Sequence, residues 1–232
     1  MEPQVSARPA GGVQDQAPRA WFSIGVLLIL TILSYVDRSI ISLMIEPIKA
    51  DLAISDVQIS LLQGMAFALL YTIASVPMGY LGDRTSRRAV IFCGATAWSL
   101  ATAACGLARS FGHLFVARVA VGAGEATLSP SAYALVADLF PPQRLAFAIG
   151  VLATGAAIGS ALALIIGGLV VSWAQAVPPI MGLRSWQLVF VVVGLPGLIV
   201  APLVFLIPRT ARTTQTEVAR NIPKLQYRRW LA

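Results

Sequence analysis

Six stretches of the chain are long and apolar enough to cross a bilayer, and polar or turn-forming residues separate each from the next. A helix of about 20 mostly apolar residues crosses the roughly 30 Å hydrocarbon core. The stretches run from Trp21 to Met44, Gln58 to Leu81, Arg88 to Ala108, Leu114 to Val136, Ala146 to Trp173 and Gln187 to Ile207. Pro47 follows the first, the charged run Asp83 to Arg88 the second, and Pro141-Pro142 the fourth. Pro178-Pro179 follows the fifth and Pro208 closes the sixth. Proline ends helices because it has no amide hydrogen to donate and its ring crowds the preceding turn. The pattern predicts an all-α membrane protein, six transmembrane helices joined by short connections into one antiparallel bundle. Residues 1–18, rich in Pro, Gln and Gly, read as a disordered cytoplasmic tail, and residues 209–232 as a second tail or the start of a central loop. The first apolar stretch is too long for a signal-peptide core and has no small-residue cleavage pattern, so it is retained as a span.

Composition sharpens this picture. Hydrophobic residues make up 57% of the chain and charged residues only 12%, about half the charge usual in soluble domains. Net charge is +7, but the basic residues do not interleave with aromatics on one face, which argues against nucleic acid as a partner. They collect between the spans, as orientation signals do. With the N-terminus inside, the inner segments hold Arg8, Arg19, Arg84, Arg87, Arg88 and Arg144. The final segment adds Arg209, Arg212, Arg220, Lys224, Arg228 and Arg229, while the outer segments hold Lys49, Arg109 and Arg184. Both termini are therefore expected in the cytoplasm, with the bundle in a plasma or inner membrane. Cys93 and Cys105 share one apolar run and read as packing residues. The single histidine, His113, has no partner ligand nearby, and no metal site or cofactor is expected. Gly155 and Gly159 form a small-xxx-small face on the fifth span, extended by Gly150, Gly167 and Gly168, of the kind that lets helices approach closely in lipid. Pro77, Pro130, Pro196 and Pro202 lie within spans, where proline is tolerated.

Between the second and third spans the chain reads GYLGDRTSRRAVI. A positive inner loop explains its arginines but not two glycines three apart followed by Asp-Arg. The segment resembles the signature loop of the major facilitator superfamily, G-x-L-x-D-R-x-x-R-R, in the connection where that family carries it. The fourth span begins FVARVAVGAGEATLSPSAYALVADLFPP. Its Arg118, Gly122, Gly124 and Glu125 resemble the R-x-x-x-G-x-G-E pattern of the Spinster-like branch, as do SYVDRSIIS in the first span and WQLVFVVVGLPGLIV in the sixth. The resemblance implies half of a secondary transporter, with a latch at the cytoplasmic loop that holds that side closed while the protein faces outward. Gly79, Gly82, Asp83, Arg84, Arg87 and Arg88 inherit that role. Glycine lets helix ends approach, and guanidinium groups pair with carboxylates in bidentate fashion. Asp138, after the fourth span, is expected to partner Arg87 or Arg88.

Asp37, Arg38, Arg118 and Glu125 are the ionisable residues inside predicted spans. A charge at the centre of a membrane helix costs about 2.5–3.5 kcal/mol on insertion scales, so each needs a partner or water. Helical rise puts Asp37 roughly 24 Å along the first helix from Trp21, and Arg118 roughly 6 Å from Leu114. Both fall in the outer third, within pairing reach across the bundle, with Glu125 two turns deeper on nearly the same face as Arg118. That depth is where transporter sites collect. Asp37 and Glu125 are thus candidates for coupled proton binding, the alternative being a static ion pair that fixes helix register. Glu46, Lys49, Asp51 and Asp56 are expected to be a solvated outer loop.

No nucleophile and base stand together, and no G-x-S-x-G occurs, so an intramembrane enzyme is not expected. The expected partners are a small-molecule solute, a proton, the lipid bilayer and a second six-helix half. Arg38 and Arg118 favour an anionic solute, while the resemblance to the Spinster-like branch implies a lipid-like or amphipathic one. The rival reading is a truncated or non-transporting scaffold or regulatory half.

Overall fold

The computed structural model describes residues 17–176 and 182–209, and these are almost wholly helical, with no strand among them. The first helix, α1 (Ala17–Leu43), buries Ile24, Leu27, Leu30, Ile40 and Ile41 against the bundle, the three- and four-residue spacing of a helix face. A short α2 (Ile45–Leu52) follows and ends at Ala53, whose left-handed φ of 51° turns the chain. Ser55 then caps α3 (Asp56–Ser60). Its hydroxyl accepts the Gln58 amide while the Gln58 side chain accepts the Ser55 amide, a reciprocal capping box. A π turn at Leu61–Met65 carries α3 into α4 (Ala66–Arg84). The remaining helices are α5 (Arg87–Cys105), α6 (Phe111–Glu125), α7 (Leu128–Leu139), α8 (Pro142–Ala176) and α9 (Ser185–Val200). A 3-10 turn, Ala201–Leu206, completes the last.

Five helical runs among the described residues are long and apolar enough to cross a membrane. The predicted fourth span, Leu114 to Val136, is not one helix. It divides into α6 and α7 at Ala126 and Thr127. Pro130 is the cause: it has no N–H for the Ala126 carbonyl four residues back, and its ring crowds that carbonyl. The Thr127 amide turns instead to the Gly124 carbonyl at 3.2 Å, and its hydroxyl bonds the same oxygen at 2.8 Å.

In the bundle α1 lies chiefly on α8, while α5 sits between α6 and α9 and α6 also meets α4. Missing side chains permit these approaches. A Cβ at Gly159 would come within 2.8 Å of the Ile32 carbonyl oxygen on α1, and one at Gly155 within 2.9 Å of Thr31. On α6 a Cβ at Gly124 would lie 2.7 Å from the Trp98 amide of α5, and Gly122 abuts the Phe67 backbone of α4. Gly150 and Gly168 have open space around them instead. Leu69, Ile73, Val76 and Tyr80 on α4, and Leu164, Ile165 and Leu169 on α8, are exposed. Apolar faces of that extent demand lipid or another apolar surface.

The connection after α1 also differs from the solvated loop expected of it. Asp51 is largely buried, pairs with Arg184, and accepts the indole N–H of Trp186 at 2.8 Å. It thereby ties α2 to the start of α9, where the Gln187 side chain donates to the Ala108 carbonyl at 2.9 Å. Lys49 and Asp56 do face solvent as an ion pair, and the Asp56 carboxylate raises Lys49 above the usual lysine value.

Candidate functional site

Two polar groupings stand out in an otherwise apolar bundle. The inner one forms where α1, α4, α5 and α6 meet. Ser34 and Arg38 are one turn apart on α1, so both face α6, where Glu125 receives them. Arg38 Nη2 lies 2.7 Å from Glu125 Oε2, and Ser34 Oγ donates to the same oxygen at 2.6 Å. Glu125 is 1% exposed, and its second oxygen has no hydrogen-bond partner among the described residues. Arg38 keeps 30% of its side chain exposed, so this ion pair joins a buried acid to a cation at the edge of open space.

Aromatic rings frame that cation. The Arg38 guanidinium lies 4.3 Å from the Phe67 ring centroid, 4.8 Å from Tyr35 and 5.2 Å from Tyr71. Cation–π attraction of this kind is worth about 0.5–2 kcal/mol, more when desolvated. Phe67 and Tyr71 are stacked on α4 just after its π turn, and Tyr71 reaches Ser129 of α7 at 3.3 Å. A π turn adds a residue to the helix and re-aims the side chains that follow, which is why such turns gather at functional sites.

Arg118 is fully buried. Among the described residues it forms no ion pair. Its guanidinium donates to the backbone carbonyls of Asp37 at 3.3 Å and Arg38 at 3.4 Å, so it braces α1 by the backbone. The expected side-chain pairing of Arg118 with Asp37 gives way to this arrangement, and Arg38 rather than Arg118 holds Glu125. Asp37, 2% exposed, faces Trp98 and Thr102 of α5 together with the charges of Arg118 and Glu125. Trp98 Nε1 and Thr102 Oγ1 are themselves buried without hydrogen-bond partners among the described residues. The four in-span ionisable residues thus come together. Ser34, Tyr35, Phe67, Tyr71, Trp98 and Thr102 join them without having been singled out in the sequence. Only Ser34 carried a signal there, four residues before Arg38.

The second grouping lies at the end of the bundle where α4 passes into α5. Arg87, at the first position of α5, pairs with Asp138 of α7, donates to the Ala134 carbonyl at 2.9 Å, and meets Asp83 at 3.2 Å. Of the two partners open to Asp138, Arg87 takes it. Arg88 turns away and caps the last turn, donating to the carbonyls of Phe205 at 3.3 Å and Ile207 at 2.8 Å. Arg84 lies over the Tyr80 ring at 4.4 Å. A Cβ at Gly79 would touch Pro130 at 3.4 Å and one at Gly82 would press on Ser131 Oγ at 3.0 Å, so both glycines bring α4 close to α7. Among the described residues no cluster of His, Cys, Asp and Glu could hold a metal ion.

Residues 27–230 match the Major Facilitator Superfamily. The chain is 35% identical over 189 residues to an MFS-type efflux pump of Mycolicibacterium smegmatis, covering 82% of this chain and 42% of that protein. It is 33% identical over 179 residues to a galacturonate transporter of Dickeya chrysanthemi, covering 77% of this chain and 49% of the other. Among solved structures, a bacterial homolog to the human lysosomal transporter Spinster, in an inward-facing and unoccupied conformation, superposes with a TM-score of 0.77. That match has 30% identity over 86% of this chain and 47% of the homolog. The chain spans less than half the length of each of these relatives.

Proposed function

The chain belongs to the Major Facilitator Superfamily, in its Spinster-like branch, and we propose that it forms the N-terminal six-helix half of a proton-coupled secondary transporter for a small organic anion. The observation that carries the reading is the buried Glu125 held by Arg38, whose guanidinium remains partly open within a wall of three rings. A guanidinium there offers a carboxylate or phosphate a bidentate partner, and the rings offer its carbon skeleton an apolar surface. When solute engages Arg38, Glu125 loses charge neutralisation and takes up a proton. When solute leaves, the ion pair re-forms and the proton departs. Two carriers for one site is the logic of coupled alternating access. The galacturonate transporter among the relatives handles a sugar acid, which agrees with an anionic solute.

In this reading the exposed faces of α4 and α8 receive the second six-helix half, and the Asp83–Arg87–Asp138 group is the latch at the cytoplasmic end. Complete transporter in proteoliposomes is expected to accumulate galacturonate or a related sugar acid under an inward proton gradient. Asp83→Asn is expected to lower that uptake while the protein stays folded. Absence of gradient-driven flux for any organic anion would favour a non-transporting half, and normal flux in Asp83→Asn would remove the latch.

The arginine distribution supports a cytoplasmic position for both termini and for the loop at Ser86. A cysteine introduced at Ser86 should react with impermeant reagent only from the inside, and one at Gly182 only from the outside. The opposite pattern reverses the orientation.

A further inference from the structure

Beneath the latch lies a cavity of about 480 Å³ lined by Arg84, Thr85, Ser86, Arg87, Arg88, Leu135, Asp138, Pro208 and Arg209. Its size falls within the roughly 300–1,000 Å³ of small-ligand sites. Four guanidinium groups face one carboxylate across it, and that carboxylate, Asp138, is engaged by Arg87. The other three cations have no carboxylate partner among the described residues. Arg84 lies on a tyrosine ring and Arg88 on two backbone carbonyls. Arg88 and Arg209 lie near enough to repel each other. The first turn of α5 opens here as well, with Ser86 as its cap, so the positive end of a helix dipole adds to the same field.

Cations held close together around a cavity are unfavourable until an anion joins them, and the geometry of several arginines suits a phosphate's tetrahedral oxygens. The cavity stands at the ends of helices that are long and apolar enough to cross a membrane, where the headgroups of a bilayer would lie. We propose that it binds a phosphate-bearing anion, the headgroup of an acidic phospholipid or a soluble phosphate, through Arg84, Arg88 and Arg209. The occupied cavity joins the end of α9 to the α4–α5 loop, so the ligand steadies the latch region. The cavity shares no lining residue with the inner cluster of Ser34, Arg38 and Glu125.

The test uses the whole chain in neutral detergent, with phosphatidylglycerol or phosphatidylcholine added and retention read by native mass spectrometry. Inorganic phosphate is titrated separately against thermal unfolding. Preferential retention of phosphatidylglycerol is expected, falling about fivefold in Arg209→Gln and in Arg84→Gln, and recovering in Arg209→Lys. Arg144→Gln, at an exposed arginine that does not line the cavity, should leave retention unchanged. Protection by inorganic phosphate without lipid preference, lost in the same two variants, supports the site with a soluble occupant. Binding of neither probe overturns the proposal. So does equal loss in Arg144→Gln, or retention unaffected by Arg209→Gln, since general surface charge would then explain it.

Discussion

Glu125→Gln in the complete transporter is expected to reduce proton-driven accumulation to the level of protein-free liposomes while solute-for-solute exchange continues. The substitution is nearly isosteric. Its amide oxygen can still accept from Ser34 Oγ and Arg38 Nη2, which hold the present carboxylate oxygen at 2.6 and 2.7 Å. What disappears is the carboxylate charge, and with it the group that the proposed coupling would protonate and deprotonate. Exchange needs no net proton movement, so it tests whether the variant still folds and binds. Asp37→Asn supplies a comparison, because Asp37 faces Trp98, Thr102 and Arg118 rather than the open cation. Intact pH-driven accumulation in Glu125→Gln would make this acid structural and move the coupling elsewhere or remove it.

The fold class was legible because lipid imposes a coarse requirement. Long apolar helices are visible in any window of the sequence, and so is the superfamily's loop motif. The break in the fourth span was not. Pro77 and Pro130 look alike in the sequence, yet α4 runs through Pro77 while α6 stops at Glu125, five residues before Pro130. The difference depends on Thr127 and Gly124, which provide a tighter local bond to take the chain around the corner, and no hydropathy window registers that. Spacing is a reliable guide within one helix. Ser34 and Arg38 are four apart on α1 and both reach Glu125 Oε2, at 2.6 and 2.7 Å, as residues on one helix face do.

Between helices, spacing says less. Rise along the axis correctly put Arg118 near Asp37, but the direction of each side chain is set by how α1 and α6 face one another. Arg118 therefore finds backbone oxygens, and Arg38 finds Glu125. The aromatic wall had no distinguishing mark, since Phe67 and Tyr71 resemble every other apolar residue of a span. Their placement depends on the π turn before them, an irregularity that the sequence does not announce. Asp51 looked like a loop acid for a similar reason: its partners, Arg184 and Trp186, are more than a hundred residues away in the chain and meet it only in the folded bundle.

Arg38→Ala is expected to destabilise the bundle by about 3–5 kcal/mol, the usual cost of removing one partner from a buried ion pair. The asymmetry of exposure sets the direction. The Glu125 side chain is 0% exposed while Arg38 is 30% exposed, so loss of the cation strands the acid where water cannot reach it. Loss of the acid leaves the cation with water and three rings. Glu125→Gln should accordingly cost much less than Arg38→Ala. The double variant should recover most of the loss, because a neutral glutamine no longer needs the guanidinium, and the cycle isolates the coupling between the two residues. Asp83→Asn serves as the surface control. Its carboxylate is 65% exposed, and an exposed ion pair contributes about 0–1 kcal/mol. Thermal unfolding of the parent and the four variants in one detergent measures all of these differences. If Arg38→Ala proves as stable as Glu125→Gln, and the double variant shows no recovery, Glu125 does not depend on Arg38 for its charge, and the ion pair cannot be the element that solute and proton compete for.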